Sequence, residues 1–141
     1  MAHVMSDEFQ TCIYKNPDIG IDDRKDKWKE LNLLYFNDTD YDGISYLEKG
    51  RVLHLIRHFF SSPLFYIYYA VATICGFQFW INSNQNNKQN IRNYLTLCEA
   101  GGSVSLEELI KLAGLRAPFE DVSIKNSTKK ISKFLNDYNR L

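Results

Sequence analysis

Eighteen consecutive residues, Leu64 to Ile81 (LFYIYYAVATICGFQFWI), carry no formal charge, and they follow directly on a Ser61-Ser62-Pro63 break. A run of that kind suits the centre of a helical domain, or a lipid bilayer, for which about eighteen residues is near the minimum. Tyr66, Tyr68, Tyr69, Thr73, Gly76 and Gln78 interrupt it, and no cluster of Lys or Arg flanks it to orient a span. The run is read here as a buried helix, with a single membrane span as an alternative. Just before the break, His54 and His58 stand four residues apart. No other segment brings titratable groups, phenols and apolar bulk together so densely.

The remaining sequence reads as helical support for this stretch. With 45% apolar and 24% charged residues among 141, the chain has the composition of one globular domain. Its 17 basic residues balance 17 acidic ones. No bulk attraction to nucleic acid or to an anionic membrane surface is expected from that balance. Cys12, Cys75 and Cys98 form no C-x-x-C pair, and an odd count without metal spacing suggests reduced, mostly buried thiols in a cytoplasmic protein. Asp7 and Glu8 come early and no apolar signal core precedes them, so no secretion signal is expected.

Taken in order, Val4, Met5, Phe9, Cys12 and Ile13 form a helical stripe over residues 2–15, closed by Asn16-Pro17. Asp22 or Asp23 is placed to cap a helix reaching about Phe36, with Trp28, Leu31, Leu34 and Tyr35 on its apolar face. Residues 37–43 form a loop whose spaced acids lack the glycine position and the bidentate Glu of a calcium loop. Ser45 to about Phe60 reads as one helix with Leu47, Val52, Leu55, Ile56 and Phe59 inward. Ser61 or Ser62 then caps the next helix, with Pro63 in its first position and its end at Trp80 or Ile81.

Ser83–Gln89 is a polar connector, and a further helix carries Ile91, Tyr94, Leu95, Leu97 and Cys98 before Gly101-Gly102 stops it. Ser105 and Glu108 make a capping box for a short helix ending at Gly114. A last amphipathic helix after Pro118 uses Ile124, Ile131, Phe134, Leu135 and Tyr138. No period-two run is long enough for a strand. The expected fold is all-α, a single compact domain of about six helices spanning residues 1–141.

Two constellations could carry chemistry. His54 and His58 share one face of the expected helix, at the spacing of the zinc motif H-E-x-x-H. In H-L-I-R-H, however, Leu55 occupies the position of the general base, and no third ligand stands nearby. The second constellation joins His58 to Tyr66, Tyr69 and Thr73, the last three at i, i+3 and i+7 on one helical stripe. Phenol and imidazole N–H groups converging on a cleft can donate to a carbonyl that becomes an oxyanion. Tyrosines that simply fill a core are the alternative. No phosphate-binding glycine loop, no G-x-S-x-G and no basic patch interleaved with aromatics is present.

Short stretches also recur in a characteristic order: Asp7-Glu-Phe-Gln10, Tyr14-x-Asn-Pro17, Lys27-Trp28-x-Glu-Leu31, Tyr46-Leu-Glu-Lys-Gly50 and His58-Phe-Phe-Ser-Ser-Pro63. Tyr66-Ile-x-Tyr69-Ala, Phe77-Gln-Phe-Trp80, Tyr94-Leu, Ala100-Gly-Gly-Ser103, Leu106-x-x-Leu109 and Ala113-Gly114 complete the series. In order and spacing they resemble the C-terminal part of the oligoendopeptidase F family, zinc metallopeptidases of the thimet-oligopeptidase type. The resemblance implies a helical fold with a deep channel for short peptides. It also implies zinc held by H-E-x-x-H and a later glutamate, with a histidine and tyrosines facing the metal across the channel. His58 matches that histidine, and Tyr66 and Tyr69 match tyrosines of the family's F-Y-Y-I-D-Y run.

Several positions depart from the family pattern. No H-E-x-x-H occurs in the 141 residues, so neither a zinc site nor a catalytic general base is expected in this chain. Phe65 replaces a tyrosine, Tyr68 an aspartate, Thr73 a glutamine, Leu55-Ile56 an Arg-Gln pair and Thr11-Cys12 a His-Trp pair. The resemblance implies a C-terminal substrate-channel segment of a metallo-oligoendopeptidase that is inactive alone. Its implied partners are short peptides and either the missing zinc-bearing half or a second copy. A non-catalytic helical module that binds a peptide or a protein is the second reading, and a single-span membrane protein the third.

Overall fold

Helices account for all the regular structure among the described residues, as the lack of any long alternating run implies. The computed structural model describes residues 1–37 and 39–138, and among them are seven α-helices, one 3₁₀ turn and no strand. The helices are α1 (Ala2–Lys15), α2 (Ile21–Phe36), α3 (Ser45–Glu48), α4 (His58–Ser61), α5 (Tyr66–Ala100), α6 (Leu106–Leu112) and α7 (Asp121–Tyr138). Two units each gather their own contacts, Met1–Ala70 and the chain from Val71 on.

In the first unit, α1 packs on α2. The core is built from Met5 and Phe9 of α1, Trp28 and Leu31 of α2, and Leu53 of the 3₁₀ turn Arg51–Leu55. Phe9 meets Trp28 edge-on at 5.2 Å, and Phe59 packs against both rings at 5.6 and 5.8 Å. Offset and edge-on aromatic pairs of this kind add to the free energy of area burial. α1 stops at the expected place, where the Asn16 N–H bonds back to the carbonyls of Cys12 and Ile13 before Pro17.

α2 differs from expectation in two respects. Its N-cap is Gly20, and Asp22 and Asp23 lie inside the first turn, where they meet the positive end of the helix dipole rather than cap it. Its buried stripe is also narrow: Leu31 is fully buried, whereas Leu34 is 68% exposed. Tyr35 stays on the inner side, and its hydroxyl donates to Glu8 Oε2 at 2.6 Å.

Ser45–Phe60 is not one helix. α3 ends at Glu48, Gly50 takes a left-handed φ of +70°, the 3₁₀ turn follows, and α4 starts at His58. Gly50 explains the break. A Cβ there would sit 2.6 Å from the backbone oxygen of Lys25, so only glycine lets the chain pass this close to α2 at that φ. The change of geometry buries Leu53 and leaves Leu55 66% exposed, while Val52, Ile56 and Phe59 pack against the core as expected.

The Ser61-Ser62-Pro63 stretch forms a turn instead of capping the next helix. Leu64 has φ +60°, its N–H donates to Gln10 Oε1 at 3.2 Å, and α5 begins only at Tyr66.

In the second unit, α5 runs on past Ile81 and breaks at one residue, Asn86, with φ −148° and ψ 86°. The two halves fold back on each other. Phe79 meets Tyr94 at 5.5 Å, and Asn90 Nδ2 donates to the Phe79 carbonyl at 2.9 Å. In a straight helix the first pair would lie about 22 Å apart. The expected polar connector is thus a helical hairpin turned at Asn86. Gly101, at φ +51°, stops the second half. The Ser105–Glu108 capping box forms as read, and Gly114 closes the region after α6 at φ +62°.

α7 is a helix as expected, but its most buried residues are Ser123 and Ser127. Of the expected apolar set Ile131 is half-buried, whereas Ile124, Phe134, Leu135 and Tyr138 are exposed, Phe134 meeting Trp80 edge-on at 4.8 Å. Opposite the two serines, Gln78 of α5 binds both polar backbone atoms of Arg116, donating to its carbonyl at 3.0 Å and accepting its N–H at 2.9 Å. A polar cavity of about 290 Å³ lies here, with Gln78, Asn82, Arg116, Ser127 and Lys130 in its wall. No helix among the described residues is long and apolar enough to cross a membrane, and this sets aside the single-span alternative.

Candidate functional site

α4 and the first turns of α5 meet at the Ser62–Phe65 turn, and that turn brings His58 onto the tyrosines. His58 Nε2 lies 3.3 Å from the Tyr69 hydroxyl. The His58 ring stands edge-on to Tyr66 at 5.4 Å and to Tyr69 at 5.9 Å. Tyr66 and Tyr69, one helical turn apart on α5, have ring centroids 5.9 Å apart. Phe59 supports Tyr66 from below at 5.6 Å, which ties the cluster to the core of the first unit. The three residues singled out in the sequence therefore form one group. Thr73, expected on the same stripe, falls beyond the boundary of this unit.

The electrostatics suit hydrogen-bond donation. Burial first, and then the neighbouring Tyr69, push the Tyr66 phenol above its ordinary value, so it stays protonated through the physiological range. Tyr69 donates to His58 Nε2 in one imidazole tautomer and accepts from it in the other. The cluster thus offers the Tyr66 phenol O–H beside a coupled Tyr69–His58 pair.

Two residues of the cluster escaped the sequence reading. His3 of α1 lies 5.8 Å from Tyr66 and 5.1 Å from Tyr69, tilted by about 30° to each. Gln10, also of α1 and buried, holds the Leu64 N–H and with it the turn that orients α5. Neither carries a local signal, because their partners lie 54 or more positions away in the chain. Phe65 stacks on His58 at 6.3 Å and meets Tyr68 at 5.3 Å, giving the group an apolar rim.

The expected His54–His58 face does not form. The 3₁₀ turn carries His54, whose Nδ1 lies 3.5 Å from the Tyr46 hydroxyl, whereas His58 opens a separate helix and turns to Tyr69. Ligands at i and i+4 share a face only while the helix between them continues.

A sequence model of peptidase family M3 matches residues 1–128. The chain belongs to peptidase family M3. Solved structures similar to it include PZ peptidase A with an inhibitor, at 39% identity and a TM-score of 0.92. A structure described as an oligoendopeptidase F is 35% identical with a TM-score of 0.90. Another, from Bacillus anthracis str. Ames, is 29% identical with a TM-score of 0.75. Each alignment covers 96% of this chain but only 24%, 24% and 21% of the respective neighbour. The chain thus spans about a quarter of their length. No curated protein matches it.

Family M3 consists of zinc metallopeptidases, so the residues present can be tested against that metal. They do not fit it. Among the described residues no three His, Cys, Asp or Glu side chains converge, and His54 and His58 point to different partners. A zinc site needs at least three protein ligands.

Proposed function

We propose that this M3 chain is the C-terminal, substrate-binding segment of a zinc metallo-oligoendopeptidase. In this reading His58, Tyr66 and Tyr69 hold the backbone of a short peptide, and the zinc ligands and general base belong to a part of the family fold outside these 141 residues. The observation that carries the reading is the joining of His58 to both tyrosines across the Ser62–Phe65 turn. Donors placed where an oxyanion develops stabilise a transition state, but they need a nucleophile to generate it. The chain alone is therefore expected to bind peptides and to cleave none. Incubation with internally quenched peptides tests this: chelator-sensitive cleavage by the purified chain would overturn it. The three cysteines are free, though not buried as expected (Cys12 and Cys75 are half-buried and Cys98 is exposed), and they support a reducing, cytoplasmic setting.

A second reading, a non-catalytic helical module that binds a peptide or partner protein, draws on the exposed rim of Phe65 and Tyr68. The variant Tyr66→Phe separates the two. It weakens peptide binding about 10-fold if the phenol donates to the ligand, and leaves it unchanged if only the apolar rim is used.

A further inference from the structure

We infer that His3 is a third polar contact to the bound peptide, contributed by α1 beside His58 of α4 and the tyrosines of α5. The inference rests on the peptide-binding reading above and adds a residue to it.

His3 is half-buried, and what it touches in the cluster is rings. Its imidazole centroid lies 5.8 and 5.1 Å from those of Tyr66 and Tyr69, with interplanar angles of 30° and 31°. Both contacts are ring to ring and engage neither Nδ1 nor Nε2 as donor or acceptor. Neither nitrogen makes a hydrogen bond within the described residues. This separates His3 from the other two histidines, His54 beside the Tyr46 hydroxyl and His58 beside that of Tyr69.

A half-buried imidazole with both nitrogens unmatched is a poor core residue and a suitable ligand contact. When neutral it donates from one nitrogen and accepts at the other. A peptide backbone presents a carbonyl acceptor and an N–H donor at nearly every residue, so an extended peptide laid along Tyr66 and Tyr69 can satisfy both. The position is also firmly held. Met5, Ser6, Phe9 and Gln10 of α1 are buried, and Gln10 ties α1 to the turn before α5.

The three histidines make the test direct. Side-chain ¹⁵N NMR of the full chain, titrated with a blocked pentapeptide (acetyl-Gly-Ala-Ser-Ala-Gly-amide), reads each imidazole separately. The expected result is that His3 and His58 shift together with one saturation curve while His54 stays still. In parallel, His3→Leu weakens pentapeptide affinity at least ~10-fold, the scale of one lost hydrogen bond to a ligand. His3→Gln, which keeps an amide donor and acceptor, recovers part of it, and circular dichroism of both variants matches the parent. If His58 shifts and Tyr66→Phe weakens binding while His3 stays still and His3→Leu binds as the parent does, the role of His3 is overturned and the peptide site stands. If none of the three imidazoles responds at saturating peptide, both fall.

Discussion

Gln78 meets both backbone polar atoms of Arg116 and so ties α5 to the segment before α7. Replacing it by leucine keeps the bulk and strands a backbone N–H and C=O. Gln78→Leu is expected to lower stability by about 1–3 kcal/mol, read from urea denaturation. Gly50 is the corresponding point in the first unit. Gly50→Ala asks an L-residue to hold φ +70° with its Cβ 2.6 Å from the Lys25 carbonyl oxygen. The backbone has to move, and a loss of about 2–4 kcal/mol is expected in the same measurement. Gly43, at φ +71° with open space around it, is the control. Gly43→Ala bears the backbone strain without the clash and should cost less. The glycine was visible in the sequence, but the strand of backbone that excludes any other residue was not.

Among the elements, α6 follows its local code. Ser105 Oγ accepts the Glu108 N–H, and Glu108 Oε2 accepts the Ser105 N–H at 3.0 Å and its hydroxyl at 2.9 Å. The backbone N–H of Ser105, and then its hydroxyl, hold the Glu108 carboxyl below the usual glutamate value. In acid the unfolded chain then binds the proton more readily than the folded one, so stability rises with pH across that window. The contribution is complete above the usual glutamate value and is lost as pH falls through the lowered folded value. Glu108→Gln keeps a capping box and should remove this part of the acid slope, seen by comparing denaturation midpoints at pH 7 and pH 3. α7 shows the opposite case, where an amphipathic pattern predicts a helix but not its facing. If the serine side is the packed one, Ser123→Glu forces an unpaired carboxylate into it and costs about 1–3 kcal/mol. Leu135→Gln then changes stability by no more than about 0.5 kcal/mol. The reverse ranking in thermal melts would show that the apolar face is the buried one.

For the molecule as a whole, the balance of exposed and buried side chains is the telling quantity. Leu33 and Leu34 of α2, Phe60, Phe65 and Tyr68 around the candidate site, and Phe134, Leu135 and Tyr138 of α7 are all exposed. The second unit also buries polar Gln78, Asn90, Ser123 and Ser127 alongside rather few apolar residues. Apolar surface on this scale is seldom left to water in a chain that acts alone. Light scattering across a dilution series is expected to show self-association that weakens with dilution. Adding the zinc-bearing portion of an M3 peptidase is expected to replace it with a mixed complex, and a monodisperse monomer indifferent to that portion would contradict the expectation.

The all-α class, the ends of α1 and α6, the break between the two halves of α5 and the i, i+3 pairing of Tyr66 with Tyr69 could all be read from the chain. Each depends on neighbours within a few turns: a proline, a glycine, a capping box, or an i, i+3 spacing. The facing of α7, the splitting of the Ser45–Phe60 segment, the separation of His54 from His58 and the arrival of His3 and Gln10 at the site could not. These were decided by contacts between distant segments. Gly50 against Lys25, Gln10 on Leu64 and His3 over Tyr69 are pairings whose energies exist only once the chain has folded. Local spacing states which residues can share a face, and packing then chooses which face is used.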